Sequence, residues 1–242
     1  MHSPGDIDAV VFDMGGVLVI PTPVRTGELV RAAGVALDFD AATAHRAHFD
    51  GIAAITALLG SGDVREHDPD VWSAYDHAYF AATGLDGDER AAAVAARRDF
   101  RAHGDGNEIW CHVLEANRDA MARIARNRAV AVVTNNNGTA IQQCLDMALC
   151  QVGPGPLTEV AAIVDSGVLG IAKPDPAIFA PALAALGTDP ARTLYVGDTV
   201  HADVHGAHAA GMPVVQLDPY GHHDGHDHWR LPDVVALAEH LR

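Results

Sequence analysis

Polar groups recur where short apolar runs end. Ala9-Val10-Val11-Phe12 leads into Asp13-Met14-Gly15-Gly16, and Ala129-Val130-Ala131-Val132-Val133 into Thr134-Asn135-Asn136-Asn137-Gly138. Thr193-Leu194-Tyr195-Val196 leads into Gly197-Asp198, with Asp203 five residues on. Lys173 stands before Pro174-Asp175-Pro176. Asp13, Asp198 and Asp203 offer hard carboxylate oxygens, the kind that hold Mg²⁺ together with water and a substrate phosphate. Thr134 and Asn135, with neighbouring backbone N–H groups before a helix, form a cradle for an anion. The proline after Lys173 extends that residue and leaves its side chain to reach. Gly15 and Gly16 allow a tight turn and close approach of backbone to ligand. Each has a plainer reading: Asp13 as an N-cap, Thr134-Asn135 as a capping turn, Lys173 as a surface residue. Repetition of the pattern after several strands favours chemistry.

The elements that position these groups follow from patterning. Apolar, β-branched runs this short suit strands buried on both faces, hence a parallel sheet. In open α/β sheets, ligands bind at the carboxyl ends of the strands. Further strands are expected at Val160–Val164 and Val214–Leu217, with helices at 108–127, 139–149, from Pro176, 204–210 and 232–241. Between the first two strong strands the text becomes alanine-rich and helical, with helices expected at 26–33, 40–59, 70–82 and 86–101. The fold class is therefore α/β: a Rossmann-like three-layer core of residues 1–20 and 104–242, with an inserted α-helical cap at 21–103. Trp72, Tyr75 and Tyr79 share a helix face and suit the insert's own core more than a substrate wall. His45 and His48, three apart, suit helix histidines more than a site.

Composition narrows the partners. Formal net charge is −16 over 242 residues, which disfavours nucleic acid and anionic membranes. No apolar run approaches a membrane span and the N-terminus carries no signal peptide, so a cytoplasmic location is expected. Cys111, Cys144 and Cys150 have no metal-ligand spacing and read as buried thiols in a reducing compartment. The stretch Tyr220-Gly221-His222-His223-Asp224-Gly225-His226-Asp227-His228 reads as a solvated loop, with adventitious Zn²⁺ or Ni²⁺ binding as the alternative.

Four segments together resemble the haloacid dehalogenase superfamily, mainly its Mg²⁺-dependent phosphatases with a helical cap. They are Phe12-Asp13-Met14-Gly15-Gly16-Val17, Val133-Thr134-Asn135, Lys173-Pro174-Asp175-Pro176 and Gly197-Asp198 through Asp203. The resemblance covers essentially the whole chain. It implies that Asp13 is the nucleophile that forms an aspartyl-phosphate. It further implies that Asp13, the Gly15 carbonyl, Asp198 and Asp203 hold Mg²⁺. Thr134, Asn135 and Lys173 then bind the transferring group beside Gly15 and Gly16, and a small phosphorylated metabolite is the substrate. A monomer or homodimer is expected.

One position departs from the family's phosphatases. Two residues after the nucleophile they carry a second Asp that serves as acid and base; here it is Gly15. Such a group is worth about 10²–10⁴-fold. Weak turnover, restriction to good leaving groups, or a substitute donor such as His201 would accommodate the loss. The dehalogenase branch also lacks that Asp but uses no metal, whereas Asp198 and Asp203 keep a metal-site pattern. The phosphonate-cleaving branch needs a cap lysine, and the insert has none. A phosphate-binding protein without turnover is the non-enzymatic alternative.

Overall fold

The computed structural model describes residues 6–60, 69–103 and 108–242. The N-terminal residues 1–5 and Gly106, where the alternating pattern was expected to resume, lie outside them. The chain divides into two compact units: Met1–Leu18, Val113–Pro219 and Gly225–Arg242, and then Val19–His112 with Tyr220–Asp224.

The first unit is built on a six-stranded sheet. Its strands are β1 (Ala9–Phe12), β2 (Ala129–Thr134), β3 (Ile163–Asp165), β4 (Thr193–Gly197), β5 (Val214–Leu217) and β6 (Trp229–Leu231), in the order β6-β5-β4-β1-β2-β3. Every recorded pairing is parallel. Val11, Ala131, Val133 and Tyr195 face one side, where they pack with Ile178, Phe179, Val204 and Ala207. Their neighbours Val10, Phe12, Val130 and Val132 are equally buried, so both faces of the sheet are covered, as a parallel sheet requires. This is the expected α/β Rossmann-like architecture.

Register brings the loops of the site to one level. Phe12 lies opposite both Val132 and Val196. Asp13, Thr134 and Asp198 therefore leave neighbouring strands within about one residue of each other, at the carboxyl edge.

Several elements differ from expectation. The helix predicted over 108–127 is shorter, α5 (Glu115–Ile124), preceded by a two-residue strand at His112–Val113. The helix expected at 139–149 is α6 (Ala140–Asp146). A turn α7 (Ser166–Leu169) follows β3, and the helix opened by Pro176 begins as a 3₁₀ segment before α8 (Ala180–Leu186). The helix after the fourth motif starts earlier than predicted, as a π-helix at Val200–His205 running into α9 (Gly206–Ala209). The closing helix is α10 (Val234–His240). Strand β6 was not foreseen, because Trp229-Arg230-Leu231 is too short and too mixed to show a period.

The second unit holds α1 (Pro23–Ala32), α2 (Ala41–Gly60), α3 (Pro69–Ala82) and α4 (Gly87–His103). Tyr75 and Tyr79 lie in its core with Val30, Ala47 and Phe80, as their spacing suggested, while Trp72 is exposed. At the α2–α3 crossing a Cβ on Gly51 would fall 2.5 Å from the Tyr75 ring, so only glycine allows that approach. Buried Asp76 is neutralised by Arg97 and Arg101, and Arg97 stacks 4.4 Å over Tyr79. The histidine-rich loop is not wholly solvated. His222 pairs with Asp50 at 2.7 Å and His223 is buried, 3.1 Å from the Thr56 hydroxyl.

His48, expected to be a partly exposed helix residue, is fully buried with Nδ1 2.9 Å from the Tyr75 hydroxyl. Burial, and secondarily Arg97, pushes its pKa down to about 3. A histidine depressed in the fold adds stability above its unfolded pKa near 6.5, and that stability drains away as pH falls toward 3. His48→Gln is expected to reduce this acid sensitivity by up to about 1.4 kcal/mol per pH unit between those limits. Denaturant melts of both proteins from pH 7 to pH 4 check it; parallel curves would refute the assignment.

Candidate active site

The expected groups converge at the carboxyl edge of the sheet in the first unit. Asp13 follows β1, and its N–H donates to the Val196 carbonyl at 2.8 Å, which ties the residue to β4. The Asp13 carboxylate also accepts from the Met14 N–H at 2.7 Å. Gly16 then turns with φ 69°, a left-handed value that favours glycine; Gly15 has no such value. Thr134 ends β2 and is buried. Asp198 follows β4 and is 2% exposed.

Lys173 is the only lysine in the chain, and it is buried among these acids. Its ammonium lies 2.8 Å from Asp13 Oδ2 and 2.8 Å from Asp203 Oδ1, and it donates to the Tyr195 hydroxyl at 2.9 Å. The three carboxylates have ligand atoms within 4.8 Å of one another, and among the described residues they are the only such cluster of three.

Two expected roles change in detail. Asn135 was expected on the phosphate. Instead its Oδ1 accepts from the Lys173 N–H at 2.8 Å and its Nδ2 donates to the Lys173 carbonyl at 3.1 Å. The Asn135 side chain thus pins the backbone that carries the lysine. Asp203 was expected among the metal ligands. Its Oδ1 accepts from Lys173 and from the Tyr195 hydroxyl (2.9 Å), and its Oδ2 from the N–H groups of Asp198 (3.2 Å) and Thr199 (2.9 Å) and the Thr199 hydroxyl (2.7 Å). Five donors occupy it, and through them it orients the lysine and the Asp198 loop.

Sequence reading missed the supports. Tyr195 and Thr199 hold Asp203. Gln216 donates to the Asp198 carbonyl at 2.8 Å. Asp165 accepts from Gly138, Gly167 and Ala140, and Ser166 bonds Asn136, so the loop after Thr134 is clamped by the end of β3. A usable signal existed for Tyr195: a tyrosine in a buried strand needs a partner for its hydroxyl.

Electrostatics follow from burial. Desolvation pushes Asp13 up to about 7, opposed by Lys173 and reinforced by Asp203 and Asp198. Asp198 is pushed well above the usual carboxylate range by burial and by Asp203. Burial also acts to raise Asp203, but Lys173 and Thr199 outweigh it and hold that acid below its usual value. Fully ionised, three buried acids around one ammonium would leave an excess of negative charge; burial, and then that excess, is why Asp13 and Asp198 hold their protons so far up the scale. That excess, with two oxygen donors at Asp13 and Asp198, suits a hard divalent cation.

Gly197 is required by close approach. A Cβ there would lie 2.3 Å from Asp203 Cγ. Gly197→Ala is expected to displace Asp203, cost about 1–3 kcal/mol and lower turnover. A melting curve and an activity assay check it; wild-type values in both would show that Asp203 is not so confined.

A model of the haloacid dehalogenase-like hydrolases matches residues 7–211. Among curated proteins, phosphoserine phosphatase of Thermus thermophilus is 36% identical over 100 residues, which are 41% of this chain and 39% of that protein. Glyceraldehyde 3-phosphate phosphatase of Methanopyrus kandleri is 42% identical over 55 residues, 23% of this chain and 24% of that protein. The matches thus span well under half of these relatives. Among solved structures, a HAD-hydrolase from Bacillus subtilis bound to magnesium superposes with TM-score 0.58 at 15% identity, covering 98% of this chain and 99% of that one. A 2-haloacid dehalogenase from Pseudomonas syringae gives 0.54 at 22% identity, covering 97% and 98%. At these identities the likeness concerns the fold.

Proposed function

The chain belongs to the haloacid dehalogenase-like hydrolases, and from that premise we propose that it is a Mg²⁺-dependent phosphatase of a small phosphorylated metabolite. The observation that carries the proposal is the lone lysine bridging Asp13 and Asp203 beside Asp198. The curated relatives are both phosphatases. Asp13 attacks phosphorus and displaces the leaving oxygen, forming an aspartyl-phosphate that water then hydrolyses. Thr134 and the Lys173 ammonium stabilise charge on the transferring group. Asn135 positions Lys173, and Asp203 orients both Lys173 and the Asp198 loop. The Asp13 and Asp198 carboxylates and the Gly15 carbonyl would hold Mg²⁺, which supplies charge neutralisation at the phosphoryl oxygens. The helical unit is the counterpart of the helical cap of such phosphatases. A cytoplasmic enzyme fits this reading.

The dehalogenase alternative explains less. A metal-free halide displacement has no need of the buried acid Asp198 beside Asp13.

Gly15 supplies no proton, so activated substrates are favoured. Phosphate release is expected from acetyl phosphate and p-nitrophenyl phosphate, to require Mg²⁺, and to vanish with chelator. Gly15 is not in the left-handed region, so an aspartate there brings no backbone strain of that kind. Gly15→Asp is expected to raise turnover of an alkyl phosphate by about 10²-fold or more. Turnover undiminished by chelator, or halide release from a 2-haloacid in place of phosphate release, would overturn the proposal.

A further inference from the structure

Asp165 ends β3 directly opposite Thr134, its partner in the parallel pairing, and is buried. The phosphatase reading gives it no part. Its carboxylate is filled by backbone. Oδ1 accepts from the Gly138 N–H at 3.0 Å and the Gly167 N–H at 2.8 Å, and Oδ2 from the Gly138 N–H at 3.1 Å and the Ala140 N–H at 2.9 Å. The Gly167 bond is local and caps the turn α7. The other donors stand 27 and 25 residues away in the chain, on the loop that follows Thr134. Thr139, at the N-cap of α6, makes no capping bond with its own side chain, so the remote carboxylate takes the first N–H of that helix.

Two neighbours complete the fastening. The Ser166 hydroxyl accepts from the Asn136 N–H and donates to the Asn136 carbonyl, both at 3.0 Å. Gly167 lies so close to the loop that a Cβ there would fall 2.5 Å from the Gly138 nitrogen. Residues 136–140 are thus held by three consecutive residues, 165–167. Asn135 immediately precedes them, and its side chain holds both backbone groups of Lys173, at 2.8 Å and 3.1 Å. Capping one turn takes one oxygen, whereas a carboxylate that engages two segments with charge-assisted bonds fixes each against the other.

We propose that Asp165 is a positioning residue for phosphoryl transfer. It holds the 136–140 loop so that Thr134 and, through Asn135, the Lys173 ammonium keep their places at the transferring group. The roles of Thr134 and Lys173 are those of the phosphatase reading; the fastening itself is independent of it. Both groups meet charge that grows in the transition state, so loss of the fastening lowers turnover more than it weakens substrate binding.

Asp165→Ser separates capping from fastening. Serine caps a helix about as well as aspartate and keeps the Gly167 N–H, but its one short arm cannot serve Gly138 and Ala140 as well. Its kcat for p-nitrophenyl phosphate is expected to fall by about 10–10²-fold, with KM changing less than about threefold. Lys173 gives a second readout that needs no turnover. Because it is the only lysine in the chain, acetylation of its peptide, followed by mass spectrometry, reports that side chain alone. Labelling should be about threefold faster or more in Asp165→Ser than in the wild type, as the loop opens more often. Asp165→Asn, which keeps one carbonyl oxygen, should fall between the two in both readouts. Asp233→Ala is the control for stability. It removes the cap of α10, where the carboxylate accepts from the Ala236 N–H at 2.7 Å, and lowers the melting temperature without touching the loop. Its kcat and labelling should match the wild type. Wild-type kcat and labelling in Asp165→Ser, or equal losses in Asp233→Ala, would overturn the proposal. If the wild type releases no phosphate, the phosphatase reading falls alone: faster labelling of Lys173 in Asp165→Ser then still supports the fastening, and unchanged labelling overturns it.

Discussion

Asp13→Asn is expected to lower phosphate release by on the order of 10⁴-fold or more while leaving the fold intact. The carboxamide has the shape of the carboxylate and retains an oxygen for the Met14 N–H, which now lies 2.7 Å from Asp13 Oδ1. What it loses is the nucleophilic oxygen. Stability should move the other way. The Asp13 pKa is raised in the fold to about 7, chiefly by burial, so its ionisation costs stability as pH rises from the ordinary carboxylate range through 7. Asparagine removes that cost. In chelator at pH 8 the variant should melt at or above the wild-type temperature, and added Mg²⁺ should stabilise it less than the wild type. Near-wild-type turnover would exclude Asp13 as nucleophile; a collapsed melting curve would show that the charge is structural.

Lys173→Met carries the second large effect, on activity and stability together. Methionine keeps the apolar stem and removes the ammonium that lies 2.8 Å from both Asp13 and Asp203. Breaking a buried pair by removing one partner costs roughly 3–5 kcal/mol, because the other charge is left without compensation. Loss of its charge at the transferring group should cost about 10³-fold in turnover. The pH window follows from the two shifts. Lys173 is raised above its ordinary value, so its contribution is complete below about 10 and is lost as pH rises through its folded value. Asp203 is lowered, so its contribution is complete above about 4 and is lost as pH falls through its folded value. The variant should therefore be most destabilised between those limits, with partial relief on acidification as carboxylates take up protons. Melting temperatures from pH 4 to pH 9 and a phosphate-release assay test both parts. A penalty independent of pH would mean that packing, not charge, is what the lysine supplies.

The residues that end the strands were legible because their signal is local. A buried strand shows as an unbroken β-branched run, and its last residue is where polarity returns. That rule identified Asp13, Thr134 and Asp198 and the parallel sheet that levels them. The helices of the second unit were legible for a similar reason: their alanine-rich periods and stop signals lie within single elements. Lys173 was legible only through the company of the other motifs.

Bonding partners were not legible, because they are chosen between residues distant in the chain. Asn135 bonds the backbone of Lys173, 38 residues away, and so positions a charge rather than a phosphate. Asp203 is taken up by five donors from three segments, and Tyr195, spelled as an ordinary strand residue, supplies one of them. His48 reads as an amphipathic-helix residue until α3 supplies a hydroxyl for it and a buried place. Sequence alone determined which chemical groups stand at the strand ends, since hydrophobic periodicity sets the strands and the strands set their own ends. Only the tertiary structure decided how those acids are partnered: Asp203 is taken up by five donors, while Asp13 shares the lysine with it. That partnering depends on counting hydrogen-bond donors in a buried space, and the donors come together only when the sheet is assembled.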